Sequence, residues 1–211
     1  RRGAQPCRPA RLCRRCTRCK LPMGTTGMMH LHETALAGLA IIETQSIGDE
    51  RGRFERLFCE DELATLRADL HIAQINLSTT FARGTLRGMH FQRAPAAEAK
   101  LIRCLRGRVF DVAVDLRKGS PTFLKWHAVE LDASVMRQVL IPEGFAHGFQ
   151  ALTNDVQLLY LHTARWEPGC EGTLRHDDPV LAIQWPLPVA CISDKDRLAP
   201  LLNAGFTGIE V

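Results

Sequence analysis

No stretch of this sequence approaches the roughly 20 consecutive apolar residues that a bilayer-spanning helix needs, so a membrane protein is not expected. It also lacks the charged-then-apolar leader of a secreted chain. Acidic residues are missing from the first 20 positions, which hold eight Lys and Arg. That gap explains the net charge of +4: without those eight, 19 basic residues face 23 acidic ones and the remainder carries about −4. A basic nucleic-acid surface is therefore not supported. Tyrosine is nearly absent, so Tyr160 supplies the only phenol.

The cysteines do not form a disulfide scaffold. Cys7, Cys13, Cys16 and Cys19 crowd the leading segment, and Cys59, Cys104, Cys170 and Cys191 are scattered through the rest. In a chain of this size that pattern predicts free thiols in a reducing compartment, the cytoplasm. Three leading cysteines at a spacing of three do not close a zinc tetrahedron, which needs ligand pairs separated by a foldable loop. In this chain of 211 residues, residues 1–27 are read as a disordered basic extension and residues 28–211 as one domain, long enough for a substantial core.

From Met29 onward strand signals dominate. Leu39–Glu43 reads as a strand, Gly48–Gly52 as a turn and Phe54–Phe58 as an extended piece. Leu63, Leu66 and Leu70 at helical spacing behind acidic residues predict a short helix over Glu60–Leu70. Lys100–Leu105 and Arg108–Leu116 flank Arg106-Gly107, a hairpin-like junction. In the second run Phe110, Val112, Val114 and Leu116 alternate with Val109, Asp111, Ala113 and Asp115, giving one apolar face and one mixed face. Trp126–Leu131, Gln138–Ile141, Gln150–Leu152 and Val156–Leu161 follow at short intervals, broken at Gly119-Ser-Pro121, Pro142-Glu-Gly144 and Asn154-Asp155. This spacing indicates an antiparallel sandwich or barrel. A small helix around Pro200–Ala204 is expected to pack against it.

The chemistry is expected in Phe81–Gln92, where His90 sits behind Gly84 and Gly88 and beside Arg87. His90 reads either as a satisfied core histidine or as a general base or metal ligand lining a cavity. Lys100 is either a snorkelling edge lysine or a cation returned toward His90 by a hairpin. His147 lies in a glycine-flanked turn, Ile141–Phe149, a setting that favours ligand contact. Tyr160 is either a core aromatic with one satisfied hydroxyl or a weak acid facing a cavity. Ser193–Asp196 by itself reads as a solvated turn.

Metal-binding cupin barrels usually carry His-x-His, then Glu, then a later His; here the first station is His90-Phe-Gln92, which favours a metal-free site. The sequence resembles the dTDP-4-dehydrorhamnose 3,5-epimerase family, metal-free cupin-like enzymes of the rhamnose-nucleotide pathway. The likeness spans about Leu39 to Leu202. It is carried by Asp49-Glu-Arg-Gly52, Gln74-x-Asn76-x-Ser78, Gly84–Gln92, Lys100, Phe110–Arg117, Gly119-Ser-Pro121 and Ile141–Phe149. It continues through Leu159-Tyr160, Asp178-Pro179, Trp185-Pro186 and Ser193-x-Lys-Asp196.

The resemblance implies a double-stranded β-helix and a reaction on a 4-keto sugar, whose C3 and C5 hydrogens are acidified by the carbonyl. It implies His90 as base, Asp196 behind it, Tyr160 as the opposing proton donor and Lys100 beside the enolate. It implies that Arg51, Gln74, Asn76, Arg87, His147, Glu171 and Lys195 hold sugar and diphosphate, and that Trp166 stacks on the thymine. Neither metal nor cofactor is implied; the expected partners are the dTDP-4-keto-6-deoxyhexose substrate and a second copy in a homodimer, since exposed edge strands also invite pairing. Three departures bear on base recognition and on C3-versus-C5 selectivity: Arg56 where many relatives have glutamate, one residue added between Asn76 and His90, and His176 in place of a common tryptophan. The alternatives are an epimerase acting at one centre or on another nucleotide, a non-catalytic sugar-nucleotide binder, and a metal-dependent cupin oxygenase.

Overall fold

A computed structural model of the protein describes residues 29–64 and 70–211. The leading extension lies outside these residues, as does the Leu66 portion of the expected helix. In chain order the elements are β1 (Met29–Glu33), β2 (Ala40–Thr44), β3 (Ser46–Asp49), β4 (Gly52–Glu55), α1 (Glu60–Leu63), β5 (Gln74–Thr80), β6 (Leu86–Gln92) and β7 (Lys100–Arg106). They continue with β8 (Arg108–Asp115), β9 (Trp126–Asp132), β10 (Arg137–Ile141), β11 (Phe145–Ala151), β12 (Val156–His162), β13 (Glu171–Thr173) and α2 (Asp194–Arg197).

Two antiparallel sheets carry the fold. One has six strands in the order β1-β2-β10-β7-β12-β5, the other five in the order β13-β6-β11-β8-β9, and β3 and β4 form a separate hairpin. The sheets pack face to face, as the expected antiparallel barrel of the cupin type requires. Ile102, Val139, Ile141 and Leu158 of the six-stranded sheet meet Val109, Ala113, Leu131, Phe145 and Phe149 of the five-stranded one. Burying an aliphatic side chain of this size is worth about 1.5–3 kcal/mol relative to leaving it exposed, so this interior is the main adhesive between the layers.

The period-two reading of β8 holds, with an unexpected assignment of its faces. The mixed face, with Val109 and Ala113, is the one that enters the interior between the sheets. The wholly apolar face, with Val112, Val114 and Leu116, packs outward beneath Leu174, Leu181, Ile183 and Ile209 of the C-terminal segment. The mixed face thus carries Asp111 inward, where it meets His147.

Three expectations need correction. The Arg106-Gly107 junction is not a hairpin, because β7 pairs with β10 and β12 while β8 pairs with β9 and β11. Gly107 has φ +75°, and a Cβ there would lie 2.5 Å from Thr153 Oγ1, so glycine here lets the chain cross between sheets. A positive-φ glycine between two strands does not by itself distinguish the two connections.

The glycine-flanked segment around His147 is not a turn either. It is β11, flanked by β6 and β8, with all seven residues buried. Gly148 marks close approach between strands: a Cβ there would come 2.5 Å from Met89 Sδ and 2.9 Å from the Arg87 carbonyl oxygen. Finally, Pro200–Ala204 is not helical; the Leu202 N–H donates to Asp178 Oδ2 and Asn203 caps a turn at Gly205. The helix lies just upstream, at α2, where Ser193 accepts the Asp196 N–H as its N-cap.

Candidate active site

Between the sheets lies a cavity of about 270 Å³, lined on one wall by Arg87, His90, His147 and Phe149 and on the other by Asn76, Lys100, Tyr160 and His162. Strand pairing explains why these side chains converge. In β6 and β11, His90 is opposite His147 and Arg87 is opposite Phe149, so three steps along β6 match two along β11. This β-bulge turns Arg87 and His90 to the same face. Gly88 sits at the bulge, where a Cβ would lie 2.5 Å from Gly148 Cα. Opposite them, β12 sets Tyr160 and His162 two residues apart on one face, with Asn76 beside Tyr160 and Lys100 beside His162.

His90 Nε2 lies 2.7 Å from Asp196 Oδ1, and the other carboxylate oxygen accepts the Gly88 N–H at 3.1 Å. Asp196, which its local sequence alone reads as part of a solvated turn, is only 3% exposed. Burial alone would raise its pKa, but the His90 contact and the Gly88 N–H outweigh burial and hold it below the ordinary carboxylate value. An ionised Asp196 accepts the proton of Nε2, which leaves Nδ1 of His90 with the free lone pair.

Lys100 Nζ donates to the His90 carbonyl oxygen at 3.4 Å and lies 3.2 Å from Glu98 Oε1. It reaches His90 across the gap between sheets, since β6 and β7 are not paired as a hairpin. Tyr160 packs edge-on to His147, with ring centroids 5.9 Å apart, and stacks on His162 at 5.8 Å. Burial pushes the phenol well above its ordinary pKa, the Asp111 carboxylate adds to the push, and Arg87 opposes it. Tyr160 is therefore protonated at neutral pH.

The other expected residues fall in four places. Arg87, Asn76 and His147 line the cavity itself. Lys195 lines an adjoining hollow of about 350 Å³ that shares Arg87 and His90 with the cavity and is also lined by Asp196, and it bonds Glu171 at 2.7 Å. At the rim, the Trp166 N–H donates to Gln74 Oε1 at 3.2 Å, and the Trp166 side chain is left 58% exposed. Arg51 stands apart: it sits at the β3–β4 tip, paired with Asp49, and lines a different hollow formed by that hairpin.

Sequence reasoning missed three polar residues. Asp111 binds His147 Nε2 at 2.8 Å and keeps its second oxygen buried without a hydrogen-bond partner; a carboxylate on the core face of β8 was the available signal. Glu98 and His162 pair with each other at 2.8 Å. His162 follows Tyr160 by two residues and so shares its face, whereas nothing local marks Glu98. The three cavity histidines each bind a different carboxylate, and among the described residues no group of three or more His, Cys, Asp or Glu is placed to hold a metal ion. Nor, among the described residues, is any helix long and apolar enough to cross a membrane.

Comparison with known proteins identifies the family. Residues 33–204 match the family model described as dTDP-4-dehydrorhamnose 3,5-epimerase. The chain is 42% identical over 178 residues to the dTDP-4-dehydrorhamnose 3,5-epimerase of Salmonella typhimurium, covering 83% of this chain and 97% of that one. It is 39% identical over 175 residues to a dTDP-4-dehydrorhamnose 3-epimerase of Streptomyces niveus, covering 82% and 84% of the two chains. The crystal structure of a dTDP-6-deoxy-D-glucose-3,5-epimerase from Legionella pneumophila in complex with dTDP-4-keto-L-rhamnose matches with a TM-score of 0.80 and 38% identity, covering 87% of this chain and 99% of that one. With its antiparallel barrel and a match that spans most of its length, this chain belongs to the dTDP-4-dehydrorhamnose 3,5-epimerase family.

Proposed function

We propose that this chain epimerises dTDP-4-dehydro-6-deoxy-D-glucose at C3 and C5 to dTDP-4-dehydro-L-rhamnose. The observation that supports this most is a carboxylate-backed imidazole and a protonated phenol on opposing walls of one cavity. Inversion requires a proton to leave one face of a carbon and another to arrive on the opposite face.

His90 Nδ1 takes the proton from C3 or C5, and the C–H electron pair moves into the ring to place negative charge on the C4 oxygen. Asp196 steadies the imidazolium that forms. The Lys100 ammonium stabilises the enolate oxygen. As the carbonyl re-forms, the Tyr160 hydroxyl gives its proton to the same carbon from the other side. Solvent then removes the proton from His90 and returns one to Tyr160, so the cycle needs no redox partner. Arg87 and Lys195 bind the diphosphate, and Trp166 offers an exposed ring to the thymine.

A single-centre reaction is the second reading, because the relative from Streptomyces niveus named a 3-epimerase matches nearly as well as the double epimerases. NMR of the product formed in D2O separates them: two deuterons, at C3 and C5, are expected, and a deuteron at C3 alone would establish the second reading.

The active form is a homodimer. Edge strand β5 exposes Ile75 and Leu77, and the β3–β4 hairpin exposes Ile47 and Phe54, surfaces that a second copy would cover. In that dimer Arg51, which does not line the cavity of its own chain, serves the partner's. Mixing inactive Arg51→Ala and His90→Asn proteins should then restore activity, because one site of the mixed dimer has both residues intact. Mixtures no more active than the separate variants would refute the exchange.

A further inference from the structure

One titratable pair in the cavity has no part in the proton transfers above. Glu98, just before β7, places Oε2 2.8 Å from His162 Nδ1 and Oε1 3.2 Å from Lys100 Nζ. Both of its oxygens are therefore engaged by cavity-lining groups. Burial by itself would raise its pKa; the His162 contact and the Lys100 charge prevail and keep it below the ordinary value, so Glu98 is ionised. A carboxylate at Nδ1 fixes the proton there and leaves His162 Nε2 as an acceptor.

That acceptor is 3.4 Å from Asn76 Nδ2, a donor on the neighbouring strand, a separation long for a hydrogen bond. One acceptor and one donor side by side complement a hydroxyl group, which donates once and accepts as well. His162 also stacks on Tyr160 at an interplanar angle of 14°, which sets its nitrogen on the proton-donor wall.

We propose that His162 and Asn76 form a recognition point for a sugar hydroxyl, and that Glu98 is the positioning residue that orients His162 and Lys100 together. The inference rests on the sugar-nucleotide reading of the cavity. Of the two ring hydroxyls in the proposed substrate, the one on C3 changes face during the reaction. The C2 hydroxyl stays in place, and a fixed reader suits it. A site built to bond a hydroxyl discriminates against an analogue lacking it, because the half-buried His162 acceptor is then left without its donor.

The test compares kcat/KM for the natural substrate and its 2-deoxy analogue. The wild-type protein should prefer the natural substrate by at least about tenfold, and His162→Ala should lose most of that preference. Glu98→Gln, which removes the charge that fixes the His162 tautomer, should weaken the preference as well and guards against a folding defect in the first variant. Wild-type protein indifferent to the C2 hydroxyl, or variants that discriminate as the wild type does, would overturn the proposal. Wild-type protein that turns over neither compound would instead overturn the epimerase reading, and this inference with it.

Discussion

The two walls of the cavity differ in how their polar groups are held. On the five-stranded wall, His90 and His147 are each tied to a buried aspartate, one brought by α2 and the other by β8. On the six-stranded wall, Tyr160 has a ring on each side, and Lys100 and His162 share one glutamate. The first arrangement fixes an imidazole tautomer and suits a base. The second keeps a phenol protonated and a cation close by, as proton donation and enolate stabilisation require. An inverting enzyme needs an acceptor on one wall and a donor on the other, since a single group acting alone would return each proton to the face it left.

The largest effect on this comparison is expected from the base itself. His90→Asn should lower both epimerisation and solvent exchange by about 10⁴-fold, the upper end for a general base, while dTDP binding measured by calorimetry stays within a few-fold. Exchange at more than a tenth of the wild-type rate would mean that the five-stranded wall is not the proton acceptor.

A smaller effect, of a different kind, is expected at Asp115, a buried carboxylate outside the cavity. It accepts hydrogen bonds from Arg117, Ser120 and Thr122, which overcome the cost of burial and push its pKa down to about 2 from 3.8. A depressed folded-state pKa means stability that is present above the unfolded value and is lost as pH falls from about 4 through about 2. Asp115→Asn should therefore cost about 2 kcal/mol at neutral pH, a drop of roughly 4–8 °C in Tm, and almost nothing at pH 2. Its kcat should match that of the wild type at temperatures where both are folded. A Tm unchanged at pH 7 would show that the Asp115 contacts do not stabilise the fold.

Much of this architecture was legible in the chain, and the exceptions have physical causes. Strand positions followed from period-two patterning and turn residues, both local signals. Which strands pair did not, because the glycine at position 107 serves a hairpin and a sheet crossing equally well. Glycines usually mark turns, which on sequence alone puts His147 in one; here Gly148 marks a close approach between β11 and β6. The site followed the same division. His90 and Tyr160 drew notice by residue type, but Asp196 is 106 residues from His90, and its role came from family resemblance. Glu98 and His162 are 64 residues apart, and only the register of β12 with β7 makes them neighbours.

The account stands on His90 and Tyr160 addressing the same carbon from opposite faces, and Tyr160→Phe assayed in D2O tests this most directly. With the base intact and the acid removed, His90 should still take a proton, exchange it with solvent and return it to the same side. The remaining substrate should then gain deuterium at C3 or C5 with its configuration retained, while inversion falls by about 10²-fold or more. Inversion at the wild-type rate in this variant would contradict the account.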